Sequence, residues 1–173
     1  MWLALTDLFK ARWTDEIHDE WMRNVLLNRP DLTLAQLTRT KNLMNANVRD
    51  CLVTDYESLI PALELPDPGD LHVLAAAIRS GASFIVTFNL KDFPMVALAP
   101  YGIDAIHPDE FILQLIDLDP VAVLQAALKQ LSTLKNPPLT RDEYLDTLNR
   151  LRLSQSAATL KKLFDKMPEI LGS

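Results

Sequence analysis

The chain has 173 residues, 49% hydrophobic and 23% charged, with only 4 glycines. That fits one well-filled domain plus an appendage and excludes a disordered or low-complexity protein. A net charge of −6 argues against a general nucleic-acid coat, and Cys51, the sole cysteine, excludes an internal disulfide or cysteine metal cluster and suits a reducing cytoplasm.

The opening Met1-Trp2-Leu3-Ala4-Leu5 is apolar but lacks a basic flank, and Asp7 soon interrupts it, so it reads as neither signal peptide nor membrane span. Trp2, Leu5, Leu8 and Phe9 form a short helical face. Thr14 is a suitable N-cap, with Asp15 and Glu16 in the first turn, for a helix through Ile17, Trp21 and Val25 that ends before Pro30. A second helix follows Thr33, with Leu34, Leu37, Met44 and Leu43 expected on its buried side. Cys51 to Thr54 reads as a short strand and Tyr56 to Leu63 as a turn or brief helix.

Asp67-Pro68-Gly69-Asp70 is a turn, and Asp70 falls at the N-terminus of an Ala-rich helix running to Ser80. Residues 71 to 78 are nearly all apolar, which predicts burial on most sides, and Gly81 suits a left-handed C-cap. Ala82 to Thr87 is a continuous apolar β-prone run, the pattern of a strand covered on both faces. Asp104-Ala105-Ile106 predicts another short strand, and Pro108 opens a helix through Leu115. Such helix–strand alternation predicts a three-layer α/β domain. Beyond Asp119-Pro120 the reading is helical only: 121–134, 141–151 and 154–164. Residues 1–119 carry a net charge of −9 and residues 120–173 a net of +3. We therefore expect a domain at 1–119 and a helical C-terminal subdomain at 120–173, whose basic residues suit either simple solvation or contact with backbone phosphate.

Ligands in open α/β sheets bind beyond the carboxyl ends of the strands. Asn89 and Asp92 follow directly on a predicted strand, and Asp70 enters the helix before it, so the three can converge. Oxygen donors without His or Cys indicate Mg²⁺ or Mn²⁺ rather than zinc, and such ions suit phosphodiester hydrolysis. Asp70 as a plain helix cap and Asp92 as the start of a surface turn are the competing structural readings. His18 reads as a solvated helix residue, His72 as a core residue, and His107 as a turn residue with no visible partner. Arg12, Arg23 and Lys91 flank the cleft in sequence and suit phosphate contact or plain solvation. There is no phosphate-cradling glycine loop, nucleophile elbow or Cys–His pairing.

Asp67-x-x-Asp70-x-x-x-Leu74-x-x-Ala77, followed by Ile85-Val86-Thr87-x-Asn89-x-x-Asp92-Phe93, resembles the core signature of PIN-domain ribonucleases. The likeness is to VapC-like toxins of bacterial VapBC-type toxin–antitoxin pairs. It extends over Trp13 to Glu20 and over Leu134-Lys135-Asn136-Pro137-Pro138, nearly the whole chain. The resemblance implies a PIN-like domain with a mostly parallel central sheet, and up to four acids around one or two Mg²⁺ or Mn²⁺ ions. Carried over by position, the second acid falls on Glu20, with Glu16 as the fallback. The third falls on Asp70, helped by Asp67, and the fourth on Asp92, with Asn89 where many relatives carry Asp. Thr87 matches the hydroxyl before it. The implied activity is cytoplasmic metal-assisted hydrolysis of RNA. The implied partners are an antitoxin reaching the acidic cleft with a basic side chain and a second copy in a homodimer, with no membrane.

One feature departs from the pattern. PIN domains open on a central strand ending in the first acid, whereas this chain starts at Met1-Trp2-Leu3, inside what reads as a helix. Asp7, in helical spacing with its apolar neighbours, is a poor substitute. The expectation is either a start set too late or a module without its first ligand. In the second case strand donation, a rearranged sheet or homodimerisation through Trp2, Leu3 and Leu5 would fill the gap, unless these residues simply pack on the sheet. The rival readings are a catalytically impaired PIN-like binding module and a metal-dependent phosphatase acting on small molecules, for which no specificity element is visible.

Overall fold

A computed structural model describes residues 2–135 and 138–167; Asn136 and Pro137 of the tail motif lie outside the described residues. The chain is α/β, with eight α-helices and a small two-stranded parallel sheet among those residues. It divides into two compact units, one of Lys10–Ala105 and one of Met1–Phe9 with Ile106–Ser173. The boundaries thus fall after Phe9 and Ala105, where the sequence suggested one after Asp119. The reason is local: Asp119 ends one helix and caps the next, accepting a hydrogen bond from Ala122 N at 2.9 Å, so the change of charge there is a corner within the helical unit.

In the Lys10–Ala105 unit, α1 (Asp15–Asn28) starts where Thr14, fully buried, accepts from Ile17 N at 3.0 Å, and acids occupy the first turn. Helix α2 (Leu34–Asn47) opens on a capping box between Thr33 and Gln36. Contrary to expectation, only Leu37 of its apolar residues is buried; Met44 is half-buried, and Leu34 and Leu43 are exposed. Polar groups join α1 to α2 instead. Asn45 Oδ1 accepts from Trp13 Nε1 at 2.7 Å and meets His18 Nε2 at 2.9 Å, while Trp21 Nε1 donates to His18 Nδ1 at 2.8 Å. Because indole can only donate, Nδ1 is the acceptor and Nε2 carries the proton given to Asn45. His18 is therefore not a solvated helix residue: it is 1% exposed, and its ring sits edge-on between Trp13 and Trp21.

Helix α3 (Leu71–Ser80) forms the centre of this unit. Its small side chains let Ala75, Ala76 and Ala77 approach closely, and Leu74 is wholly buried. Gly81, at φ 64°, ends the helix in a conformation that costs a residue with a Cβ. Strand β1 (Phe84–Val86) packs on α3 and pairs with β2 (Asp104–Ile106) across a connection holding the short helix α4 (Met95–Leu98). The expectation of a strand over 82–87 covered on both faces is corrected here. Only three residues pair, and they alternate, with Ile85 buried and Phe84 and Val86 exposed, because a single face packs against the core. The strand expected at 51–54 reduces to an isolated parallel bridge between Leu52 and Trp13, bonded through Trp13 N to Cys51 O and Val53 N to Trp13 O, both 2.8 Å.

In the other unit, α5 (Pro108–Leu118), α6 (Pro120–Thr133), α7 (Arg141–Arg150) and α8 (Ser154–Asp165) enclose a core around Leu124, Val123 and Phe164. The helical reading of 121–134, 141–151 and 154–164 matches to within a residue. The Trp2–Leu5 turn packs on α6, where Lys129 stands 5.8 Å from the Trp2 ring centroid. His107 has a partner after all: its Nδ1 accepts from Asp109 N at 3.1 Å and caps α5. Asp109 itself is 5% exposed and caps a different helix. Its carboxylate oxygens accept from Ser156 N at 2.8 Å and Gln155 N at 3.0 Å, at the start of α8, where no local side chain does so. No helix among the described residues is long and apolar enough to cross a membrane.

Burial alone would push the Asp109 carboxyl up, but hydrogen bonds from Ser156 and Gln155 outweigh it and hold it below the ordinary carboxylate value. A depressed folded-state pKa contributes stability that is present above the unfolded value near ~3.9 and lost as pH falls through the folded one. Asp109→Asn should cost the protein about 1.5–3 kcal/mol at pH 7. In urea melts at descending pH, the gap between wild type and variant should close below the ordinary carboxylate range.

Candidate metal centre

Two short turns bring the acids together. Asp67 precedes the single 3₁₀ turn Pro68–Asp70 and caps it, its Oδ1 accepting from Gly69 N at 2.8 Å. A Cβ at Gly69 would stand 3.1 Å from that oxygen, so a larger residue there would require the Asp67 side chain to shift by a few tenths of an ångström. Asp70 occupies the N-cap position of α3, yet its side chain makes no capping hydrogen bond and its backbone is already helical, at φ −89° and ψ −2°. The reading of Asp70 as a plain cap therefore finds no support. On the other side, Thr87 Oγ1 accepts from Asn89 N at 3.0 Å just beyond β1, and the turn Leu90–Asp92 follows. The Asn89 side chain donates to Asp92 Oδ2.

Asp67, Asp70 and Asp92 each present a carboxylate oxygen within 4.8 Å of the others. Asp67 is exposed, while Asp70 and Asp92 are half-buried. Burial first, and then the charges of Asp67, Asp92 and Glu20, push the Asp70 carboxyl above its ordinary value, with His72 opposing. Glu20 thus lies within electrostatic reach of Asp70, although outside the close group of three. It instead faces His72, with Oε2 3.3 Å from Nε2, while Glu16, one helical turn earlier, approaches Nδ1 at 3.6 Å and accepts from the Tyr56 hydroxyl at 3.1 Å. All of these residues belong to the Lys10–Ala105 unit.

The donor set consists of carboxylate oxygens with an amide beside them, which suits a hard divalent cation such as Mg²⁺ or Mn²⁺. Two carboxylates ~5 Å apart repel by about 3 kcal/mol at an effective dielectric of ~20, so a cation would relieve the crowding that Asp70 registers. Among the other sequence candidates, Arg12 is half-buried, and Arg23 and Lys91 are exposed. Asp7 is exposed at φ 59° and belongs to the other unit. Sequence reasoning put His72 in the core, where it is, at 4% exposure, but missed its two glutamate neighbours. The available signal was the Glu16–Glu20 spacing of four, which puts two carboxylates on one helix face.

Residues 108–162 match the family described as VapC50 C-terminal domain. A curated protein of Mycobacterium tuberculosis (strain ATCC 25618 / H37Rv), named "Putative ribonuclease VapC50", is 45% identical over 109 residues, 63% of this chain and 63% of that protein. The match thus spans less than two thirds of either. No solved structure matches the chain. The two matches bear out the resemblance to VapC-like PIN-domain proteins.

A raised carboxyl pKa makes the ionised form a cost to the folded state, absent below the unfolded value and fully present above the folded one. In chelator-treated protein, Asp70→Asn should therefore raise stability at pH 7 by about 1 kcal/mol. The gain should fade in thermal melts as pH falls below the ordinary carboxylate range, where Asp70 is protonated in both states.

Proposed function

We propose that this chain is a Mg²⁺- or Mn²⁺-dependent endoribonuclease, the toxin component of a type II toxin–antitoxin system, that hydrolyses RNA phosphodiesters at the Asp67–Asp70–Asp92 group. The observation that carries this reading is the meeting of three aspartates from two separate turns within 4.8 Å, beside the carboxyl end of a strand. The likeness to a protein named as a ribonuclease supports it.

Asp70 and Asp92 would be the principal ligands, with Asp67 and Glu20 completing the set and Asn89 orienting Asp92 through its amide. A divalent ion held by these residues would supply polarisation of a phosphoryl oxygen and a lowered pKa for an attacking water. The chain's own residues perform the rest. Half-burial of Asp70 keeps its charge under-solvated and available to a cation, and the Gly69 turn holds Asp67 in place. Lys91, next to Asp92 and exposed, is placed to meet a backbone phosphate. The same acidic rim suits a basic side chain from an antitoxin peptide, and a PIN-like three-layer arrangement with a mostly parallel sheet is the fold this reading implies. A homodimer and a cytoplasmic location belong to the same proposal.

A catalytically impaired module that keeps only the antitoxin surface is the second reading. It is favoured by the position of Glu20, which faces His72 and stands outside the group of three.

With structured RNA and Mn²⁺, wild-type protein should cleave, and Asp70→Ala should lower the rate on the order of 100-fold or more. Identical weak cleavage by both proteins would assign it to contamination and leave the binding module. Independently, Mn²⁺ at 100 times its Kd should stabilise the wild type by about 2.7 kcal/mol in thermal melts, and Asp70→Ala should lose that gain.

A further inference from the structure

We propose that His72 is a positioning residue of the carboxylate centre, tying Glu20 on α1 to the helix that begins at Asp70. The proposal rests on the metal reading above. His72 lies two residues after Asp70 on α3 and is 4% exposed. Neither ring nitrogen has a hydrogen-bond partner among the described residues, a costly state for a buried polar group where leucine would pack without penalty. What the imidazole does face is carboxylate on both sides: Nε2 is 3.3 Å from Glu20 Oε2, and Nδ1 is 3.6 Å from Glu16 Oε2.

The two glutamates are not equivalent. Glu16 already accepts a hydrogen bond from the Tyr56 hydroxyl at 3.1 Å. The Glu20 side chain is 41% exposed and acts on Asp70 through its charge. An exposed glutamate loses considerable rotamer freedom when held in one geometry, and a ring N–H fixed in the core offsets that loss. Ligating carboxylates are commonly oriented by an outer hydrogen-bond donor, the role proposed for the unsatisfied Nε2 that stands 3.3 Å from Glu20, and removing such a partner weakens metal affinity about 10–100-fold. His72 thus acts through Glu20, while the three aspartates would contact the ion directly.

The test measures Mn²⁺ binding by the full chain by calorimetry, with circular dichroism as the check of folding. His72→Phe, which keeps the ring shape but no N–H, should bind Mn²⁺ at least about tenfold more weakly with an unchanged spectrum. His72→Gln, which keeps an N–H donor, should recover most of the loss. Glu20→Gln should weaken binding in the wild type and add little in the His72→Phe background. If His72→Phe does not fold, His72→Asn, whose shorter amide cannot span to Glu20, replaces it. Wild-type affinity in His72→Phe, or fully additive losses with Glu20→Gln, would overturn the proposal. So would ¹⁴N modulation of bound Mn²⁺ in pulsed electron resonance, lost in His72→Gln, because it would make His72 a ligand. Asp70→Ala separates the two failures. If it loses Mn²⁺ binding while His72→Phe does not, only the positioning role falls; if it binds like the wild type, the metal reading falls and takes this proposal with it.

Discussion

Asp67, Asp70 and Asp92 hold their oxygens within 4.8 Å of one another at the edge of an apolar core, against a mutual repulsion of about 3 kcal/mol per close pair. The surrounding elements keep them there. The Ala-rich α3 brings its backbone close to β1, so a turn entering the helix and a turn leaving the strand meet at one rim. Larger residues at 75 to 77 would push the helix away and separate Asp70 from Asp92. The core of the Lys10–Ala105 unit and its candidate chemistry therefore share a single constraint, the small size of the side chains between α3 and its neighbours.

The acids of α1 depend on a different kind of contact. The α1–α2 pair is joined less by apolar side chains than by the Trp13–Asn45–His18–Trp21 chain of hydrogen bonds and by Lys41, 2.6 Å from Asp15. Directional bonds of this sort specify one arrangement more sharply than apolar contact does, provided every member is satisfied. Both ring nitrogens of His18 are satisfied, so α1 is held in one orientation, and with it the face that carries Glu16 and Glu20 toward His72. His18 and His72 are both buried, yet only His18 has its partners within hydrogen-bond geometry.

Local chemistry made much of this legible beforehand. Thr14, Thr33 and Gly81 announce their helix ends because capping is a matter of a few adjacent atoms. Asp67, Asp70, Asn89 and Asp92 were readable because topology alone places the start of a helix and the end of a strand at the same edge. What stayed hidden was long-range. Nothing near position 109 says that its carboxylate caps a helix 46 residues on, and nothing near His18 identifies Asn45 as its partner. The run over 82–87 misled because apolar composition cannot say how many faces of a strand are covered; Phe84 and Val86 are apolar and exposed. The exposed Leu34 and Leu43 on α2 show the same ambiguity, since helical periodicity marks a face without naming what packs on it.

Two aspartates at helix N-termini show how structure and chemistry divide in this molecule. Burial pushes both carboxyls upward. At Asp109 two backbone N–H groups bind the charge while the Ser156 hydroxyl donates to the Asp109 main-chain oxygen, the pKa falls below the ordinary value, and the residue stabilises α8. At Asp70 the backbone is already helical and the side chain makes no capping bond. Its neighbours are other acids, and the pKa rises. A charge left under-solvated, unbonded to its own helix and crowded by its own sign is of little use to folding. It is, however, the state in which a carboxylate has most to gain from a cation. The same residue type at the same kind of helix end thus serves the fold in one unit and is held at the fold's expense in the other.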